Sequence, residues 1–328
     1  MNSFIFALNA VSPIILTVAL GYILKKTGLI SIELSKMMNK LVFKIFLPSM
    51  LFLNVYNIQS FENVELGYVI YSLAALITVF LVCIPLVMMV TKPYRLRRSL
   101  LQSNFRSNNA LIGIPLAESL FGAQGVAAAS LLSAAIIPMF NILAVISLSL
   151  FGKEGEKTSV KKIIIGIVKN PLVDAVLAGI FALLLRALAV KLGIEFRLSD
   201  VKPLFSVLES LSGAATPIAL LVLGAQFEFS AVSSLRREII FGTLVRTVAV
   251  PALVIGVAYI FFRSSFDGAH FATLVAAFAT PVAVSSVPMA QEMDGDVTLS
   301  GQLVVWTTIA SSVTLFAFAY VLKVAGIF

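Results

Sequence analysis

"RSNNALIGIPLAESLFG", residues 106–122, puts two adjacent asparagines, a glycine and a proline into the middle of an apolar stretch. A proline removes a backbone N–H, and its ring clashes with the carbonyl one turn earlier, so in a helix interior it costs about 3 kcal/mol. A buried asparagine amide needs partners for both its donors and its acceptor. Residues of this kind in an oily segment call for a local departure from the helix and for something polar nearby.

The surroundings make the segment stand out. Hydrophobic residues are 59% of the 328 and charged residues 12%, with a mean hydropathy of +1.03; soluble domains carry about 25% charged residues. Apolar runs of about 20 residues, the length that crosses a bilayer core, recur along the chain. The sequence reads as an all-α polytopic membrane protein embedded in a lipid bilayer. In that setting the net charge of +8 reflects lysine and arginine in cytoplasmic loops and not a nucleic-acid partner. One cysteine, Cys83, excludes an internal disulfide and a cysteine-rich metal site. With one histidine, His270, little is left for imidazole catalysis, so no enzyme, metal or cofactor is expected. Nothing matches a GxxxxGK[ST] loop, which argues against ATP hydrolysis by this chain. The first span starts near Phe4 without a basic lead-in or cleavage site and reads as a retained helix, not a signal peptide.

Polar breaks divide the apolar runs into ten spans: 4–24, 37–57, 67–91, 99–121, 124–151, 172–193, 203–226, 236–262, 269–292 and 298–325. The quoted segment lies in span four. The longest polar connection, between spans five and six, contains Val160, Ile163, Ile164, Ile167 and Val168 at helical spacing, with Lys161, Lys162 and Lys169 opposite. This is either an amphipathic helix on the membrane surface or the first turns of span six. Basic residues cluster after spans one (Lys25, Lys26, Lys36), three (Lys92, Arg95, Arg97, Arg98) and five (Lys153, Lys157, Lys161, Lys162, Lys169), and before span eight (Arg236, Arg237). The positive-inside rule then puts both termini on the non-cytoplasmic side of the plasma membrane.

Prolines pair across the two halves. Pro48 answers to Pro217, Pro85 to Pro251, and Pro115 in "IPLAESLFG" to Pro288 in "VPMAQEMDG"; a repeat of roughly 170 residues brings all three into order. Five spans per copy is an odd number, so the second copy enters the membrane from the opposite side. The expected organisation is a first five-helix repeat over 1–151, a cytoplasmic linker with the amphipathic helix over 152–171, and an inverted five-helix repeat over 172–328.

The repeat gives the opening segment a partner. Aligning Pro115 with Pro288 lays "SNNALIGIP" (107–115) over "TPVAVSSVP" (280–288), both mid-span, in spans four and nine. Gly113 eases the departure from helical geometry, and Ser285 and Ser286 are placed to cap the half-helix that follows Pro281. Unwound backbone at membrane depth persists only inside protein or along a watery cavity. Paired interruptions at matching positions point to a transporter's substrate site. Half-helices starting near Ile114 and Val287 would aim positive dipole ends at the centre, which favours an anionic group such as a carboxylate. Asn108 and Asn109 could donate to that group, or else satisfy freed backbone carbonyls.

At these residues the chain resembles the auxin efflux carrier family, which includes plant PIN proteins and bacterial malate or malonate permease-like members. The resemblance rests on "NFRSNNALIGIPLAESLFG", "TPIALLVLGAQF", "TPVAVSSVPMAQEMDGD" and "WTTIASSVTLF". It implies ten helices in two inverted repeats, scaffold and transport domains, and helices four and nine crossing at Pro115 and Pro281. It also implies a carboxylate bound beside the crossing, with the key asparagine at Asn108. The short connection between the halves favours a prokaryotic relative and puts auxin itself in doubt. A homodimer is compatible with the resemblance alone.

Charges within spans are the remaining suspects. Arg106 is read as attracting the anion or as pairing with Glu118 or Glu292. Glu118 and Gln291 occupy equivalent repeat positions beside Glu292, and these are candidates for carrying a coupling proton or sodium ion. Asn141 reads as an interhelical hydrogen-bonding residue. Lys44, Asp174, Arg186, Glu209 and Arg246 are not sorted by sequence. The leading expectation is a secondary transporter of a small organic anion (malate, malonate or an auxin-like acid) working by alternating access. The alternatives are a cation–proton exchanger, which would want aspartates where the asparagines stand, and a carboxylate sensor without transport.

Overall fold

The structure, a computed structural model, describes residues 2–57, 65–152, 160–193 and 197–327. Lys153 and Lys157, used above for orientation, lie outside the described residues. Among the described residues all regular structure is helical. The main helices are α1 (Asn2–Lys26), α2 (Ile32–Tyr56), α3 (Leu66–Val90), α4 (Tyr94–Phe105), α5 (Ile114–Leu150), α6 (Val160–Val168) and α7 (Pro171–Lys191). They continue with α8 (Lys202–Gln226), α9 (Arg236–Phe262), α10 (Gly268–Phe278), α11 (Ser286–Glu292) and α12 (Val297–Val324).

Seven described stretches are long and apolar enough to cross a membrane: Ile32–Tyr56, Leu66–Val90, Asn109–Leu150, Pro171–Val190, Lys202–Gln226, Arg236–Phe262 and Val297–Val324. The expectation of ten spans also takes in α1, splits Asn109–Leu150 at a kink, and counts the interrupted stretches 94–121 and 268–292 as one span each. That kink is at Phe121–Gly122, where Gly122 adopts φ 55°, a backbone conformation open to glycine because it lacks Cβ. The chain is an all-α polytopic membrane protein. The amphipathic segment is a helix of its own: α6 ends at Val168, and Asn170 caps α7 by accepting the Leu172 N–H at 2.9 Å.

Three prolines follow a widened turn of helix and do not break it. Three five-residue π turns, Val42–Phe46, Asn109–Gly113 and Val245–Ala249, immediately precede Leu47-Pro48, Ile114-Pro115 and Val250-Pro251. In each, the residue before the proline donates to the carbonyl five residues back: Leu47 to Val42, Ile114 to Asn109, Val250 to Val245. The wider turn is one way to relieve the clash between a proline ring and the carbonyl one turn earlier.

Packing gathers the helices into two groups, joined along α12, which packs on α1 as well as on its own group. The helix α1 lies along α8, while α2 packs on α7 and α8. On the other side α10 packs on α5, α4 on α3, α5 and α12, and α9 on α10 and α12. Outward faces carry large apolar side chains such as Leu81, Met89, Ile260 and Phe261, as lipid contact requires.

Candidate functional site

Between α4 and α5, and between α10 and α11, the chain leaves the helix, and the two unwound segments lie against each other. Ser107 and Val282 form an isolated antiparallel bridge. The Asn108 N–H donates to the Pro281 carbonyl at 2.8 Å, and the Ala283 N–H donates to the Arg106 carbonyl at 3.2 Å. The Val282 N–H donates to Thr307 Oγ1 of α12 at 3.0 Å. Freed backbone groups thus find partners inside the protein, the condition for non-helical chain at membrane depth. Further carbonyls at the broken ends are taken by Arg246 of α9. Its Nε donates to Thr280 O at 3.0 Å, Nη1 to Phe105 O at 2.9 Å and Nη2 to Phe278 O at 2.9 Å.

In front of this junction lies a cavity of ≈ 550 Å³, open mouth included. One wall is α2 and α8, with Leu47, Met50, Asn54 and Thr216. The other is the junction and α5, with Arg106, Ser107, Asn108, Asn109, Ile137, Phe140, Asn141 and Ser285. It therefore sits between the two helix groups. Arg106 is the one charged side chain among its described lining residues, and no carboxylate lines it.

Arg106 is 3% exposed. Its Nη2 donates to Asn141 Oδ1 at 2.7 Å and its Nη1 points at Met289 Sδ at 2.6 Å. A neutral amide and a thioether do not balance a guanidinium, and burying such a charge without a counter-charge costs several kcal/mol. The expected pairing with Glu118 or Glu292 is not made among the described residues. Glu118 is exposed, Glu292 is half-buried, and neither reaches the cavity. The two carboxylates follow the second half-helix of each span away from the junction, which carries them out of reach.

The asparagines divide the work. Asn108 lines the cavity and makes no side-chain hydrogen bond among the described residues. Asn109 donates its amide N–H to Ser133 Oγ at 2.7 Å, while its Oδ1 is buried without a partner. The former is free for a ligand; the latter is half used in holding the π turn to α5.

Several candidates play parts other than those expected. Pro115 is exposed on the first turn of α5 and takes no part in the bridge, which is formed at Arg106–Asn108; a proline near a helix start needs no N–H partner. Pro281 is in the junction through its carbonyl. Gly113 has helical angles, φ −67° and ψ −50°. A Cβ there would lie 2.6 Å from the Ala276 carbonyl, so its smallness serves close packing of the π turn on α10. Ser285 lines the cavity but does not cap α11, because its backbone is already helical, φ −62° and ψ −9°, and a capping oxygen needs an extended backbone to swing over the first turn. Ser286 is fully buried with its Oγ unpartnered and does not line the cavity. Gln291 is also outside the cavity. It accepts from Asn39 Nδ2 at 2.9 Å and Gln226 Nε2 at 3.4 Å, and donates to the Lys36 carbonyl at 3.2 Å.

Of the charges left unsorted by sequence, Lys44, Asp174 and Glu209 are exposed, and Arg186 donates to the Tyr56 carbonyl at 2.9 Å. Arg246 alone reaches the junction. Its mid-span charge was the available signal. Met289, Ser133 and Thr307 gave none, since each matters only through a distant partner.

A sequence model for a family described as membrane transport protein matches residues 6–319. An uncharacterized transporter of Methanothermobacter thermautotrophicus is 25% identical over 331 aligned positions, covering 95% of this chain and 97% of that relative. With the match running almost end to end, the chain belongs to the membrane transport protein family, that of the auxin efflux carriers.

Proposed function

We propose that the protein is a secondary transporter of a small organic anion bearing a carboxylate, bound in the cavity between the helix groups. The observation that carries this reading is Arg106, a buried guanidinium facing a cavity whose described lining contains no carboxylate. An anionic ligand supplies the missing counter-charge, and a charge-assisted hydrogen bond from Arg106, joined by the free amide of Asn108, holds it. Leu47, Met50, Ile137 and Phe140 give the body of the ligand an apolar bed. A cavity between two helix groups suits alternating access, in which one group moves past the other and exposes the site on each side in turn. The two groups play the parts of scaffold and transport domain, the junction travelling with the latter, and the two halves of the chain are inverted copies.

The same lining counts against a cation–proton exchanger, which needs an ionisable carboxylate at the site. The basic residues that frame α1, α3 and α9 put the termini outside the plasma membrane.

The test is charge movement and radiolabel uptake in proteoliposomes with malate, malonate, succinate, lactate and indole-3-acetate, with and without sodium, at two pH values. Saturable uptake of one acid by the wild type, lost in Arg106→Gln and Asn108→Ala proteins that still insert and elute normally, is the expected result. Silence across the panel by both methods, or wild-type flux in Arg106→Gln, would sink the carboxylate reading.

A further inference from the structure

We propose that Arg246 is the positioning residue of this carrier, fixing both unwound segments from behind so that Arg106 and Asn108 face the substrate. The role rests on the reading of the junction as the substrate site.

Arg246 stands in the π turn Val245–Ala249 of α9, is 0% exposed, and lines no part of the cavity. Its three hydrogen bonds go to the ends of two different helices. Phe105 is the last residue of α4, Phe278 is the last of α10, and Thr280 follows it in the second unwound segment. Carbonyls at a helix C-terminus carry roughly half a negative charge per helix. Two such ends balance one guanidinium, so Arg246 is neutralised by backbone and needs no carboxylate. Arg106, on the cavity side of the same junction, has no such cradle.

The residues that Arg246 holds lead directly to the ones that face the cavity. Phe105 precedes Arg106 in the chain, and the next residue after Thr280, Pro281, accepts the Asn108 N–H. Moving either carbonyl therefore turns Arg106 or Asn108 before it disturbs anything else. Three carbonyls around one planar fork also distinguish arginine from lysine, whose point charge satisfies this spread poorly. By tying α9 to both broken spans, the same contacts make the junction one rigid piece, as a site that crosses the membrane with its ligand requires.

The test has a readout that does not depend on a ligand. Ser107 and Val282 form the closely spaced kind of antiparallel pair, with Cα atoms about 4.5 Å apart, close enough for a disulfide. Cys83 is the one native cysteine, so Ser107→Cys with Val282→Cys in a Cys83→Ala background reports junction geometry by oxidative cross-linking. Arg246→Gln in that background is expected to lower the cross-linking yield several-fold, with Arg246→Lys in between. In proteoliposomes Arg246→Gln is expected to raise the KM for malonate, or for whichever panel acid the wild type carries, about tenfold while maximal flux per folded protein changes less. Wild-type cross-linking in Arg246→Gln overturns the proposal, and so does a loss of maximal flux with unchanged KM. If Arg246→Gln is not recovered as a monodisperse protein, the same two readings on Arg246→Lys decide. A wild type that carries no acid in the panel defeats the transport reading and leaves the cross-linking comparison to judge Arg246.

Discussion

Arg106, from the first unwound segment, reaches Asn141 on α5, its Nη2 standing 2.7 Å from the amide oxygen. The contact aims a buried guanidinium along the cavity wall and leaves its remaining N–H groups for a ligand. Asn141 is itself anchored by donating to the Ile137 carbonyl one turn back, at 2.9 Å. Removing it with the apolar, similarly sized Asn141→Leu loses a hydrogen bond to a charged group, about 1.5–3 kcal/mol. KM for the transported acid should rise about threefold or more, because Arg106 loses the contact that aims it, and only the part of this energy that differs between free and bound states reaches KM. Asn141→Asp should do more, because an internal carboxylate would neutralise Arg106 and displace the substrate. Uptake by Asn141→Asp at the wild-type level would mean that Arg106 does not hold the anion.

Asn108 and Asn109 should separate in the same assays. The Asn108 amide has no partner among the described side chains, so Asn108→Ala should weaken substrate binding and leave the thermal midpoint unchanged. Asn109→Ala removes the bond to Ser133, worth about 1 kcal/mol, and should lower the midpoint as well as the flux. Equal effects of the two variants on both measurements would contradict the division of roles.

The fold was legible because hydropathy and proline spacing are local signals. Lipid-facing spans must be apolar along their length, and Pro48, Pro115 and Pro251 do mark irregular turns. The interruption expected at Pro115 is not made there. Each of the three prolines follows a π turn that keeps the helix going, whereas the first break, at Arg106–Asn108, contains no proline at all. Asn108 and Asn109 were the better guide, because a buried amide has to be answered by something. The contacts that answer the freed backbone, Val282 to Thr307 and Arg246 to Phe105, Phe278 and Thr280, join residues far apart in the chain. No pattern in one stretch reveals them. Equivalent repeat positions did not mean equivalent surroundings: Glu118 is exposed, while Gln291 bonds Asn39, Gln226 and the Lys36 carbonyl.

Gly113 tests how tightly the two interrupted spans are packed. A methyl group at this position would sit 2.6 Å from the Ala276 carbonyl and 2.4 Å from Asn109 Oδ1. The side chain could yield, but the carbonyl belongs to α10 and cannot move alone. Gly113→Ala should therefore destabilise by about 1–3 kcal/mol, the range for overpacking a tight core. It should also depress flux, because the displaced π turn carries Asn109. A thermal midpoint and flux both equal to wild type would show that α5 and α10 are not packed as described.

Gln291 joins α11 to the opposite helix group, accepting from Asn39 of α2 and Gln226 of α8 and donating to the Lys36 carbonyl. If one group moves past the other during transport, these bonds are made in one state and broken in the next. Each net hydrogen bond is worth about 1 kcal/mol, so losing the set is enough to shift a balanced two-state population severalfold. Gln291→Leu should change the rate at which a cysteine at Thr216, on the cavity wall, is labelled by a membrane-impermeant maleimide in a Cys83→Ala background. It should leave the ion dependence of uptake as in wild type. A coupling group predicts the reverse, with altered ion dependence and unchanged labelling. That result would return Gln291 to the role its repeat position first suggested.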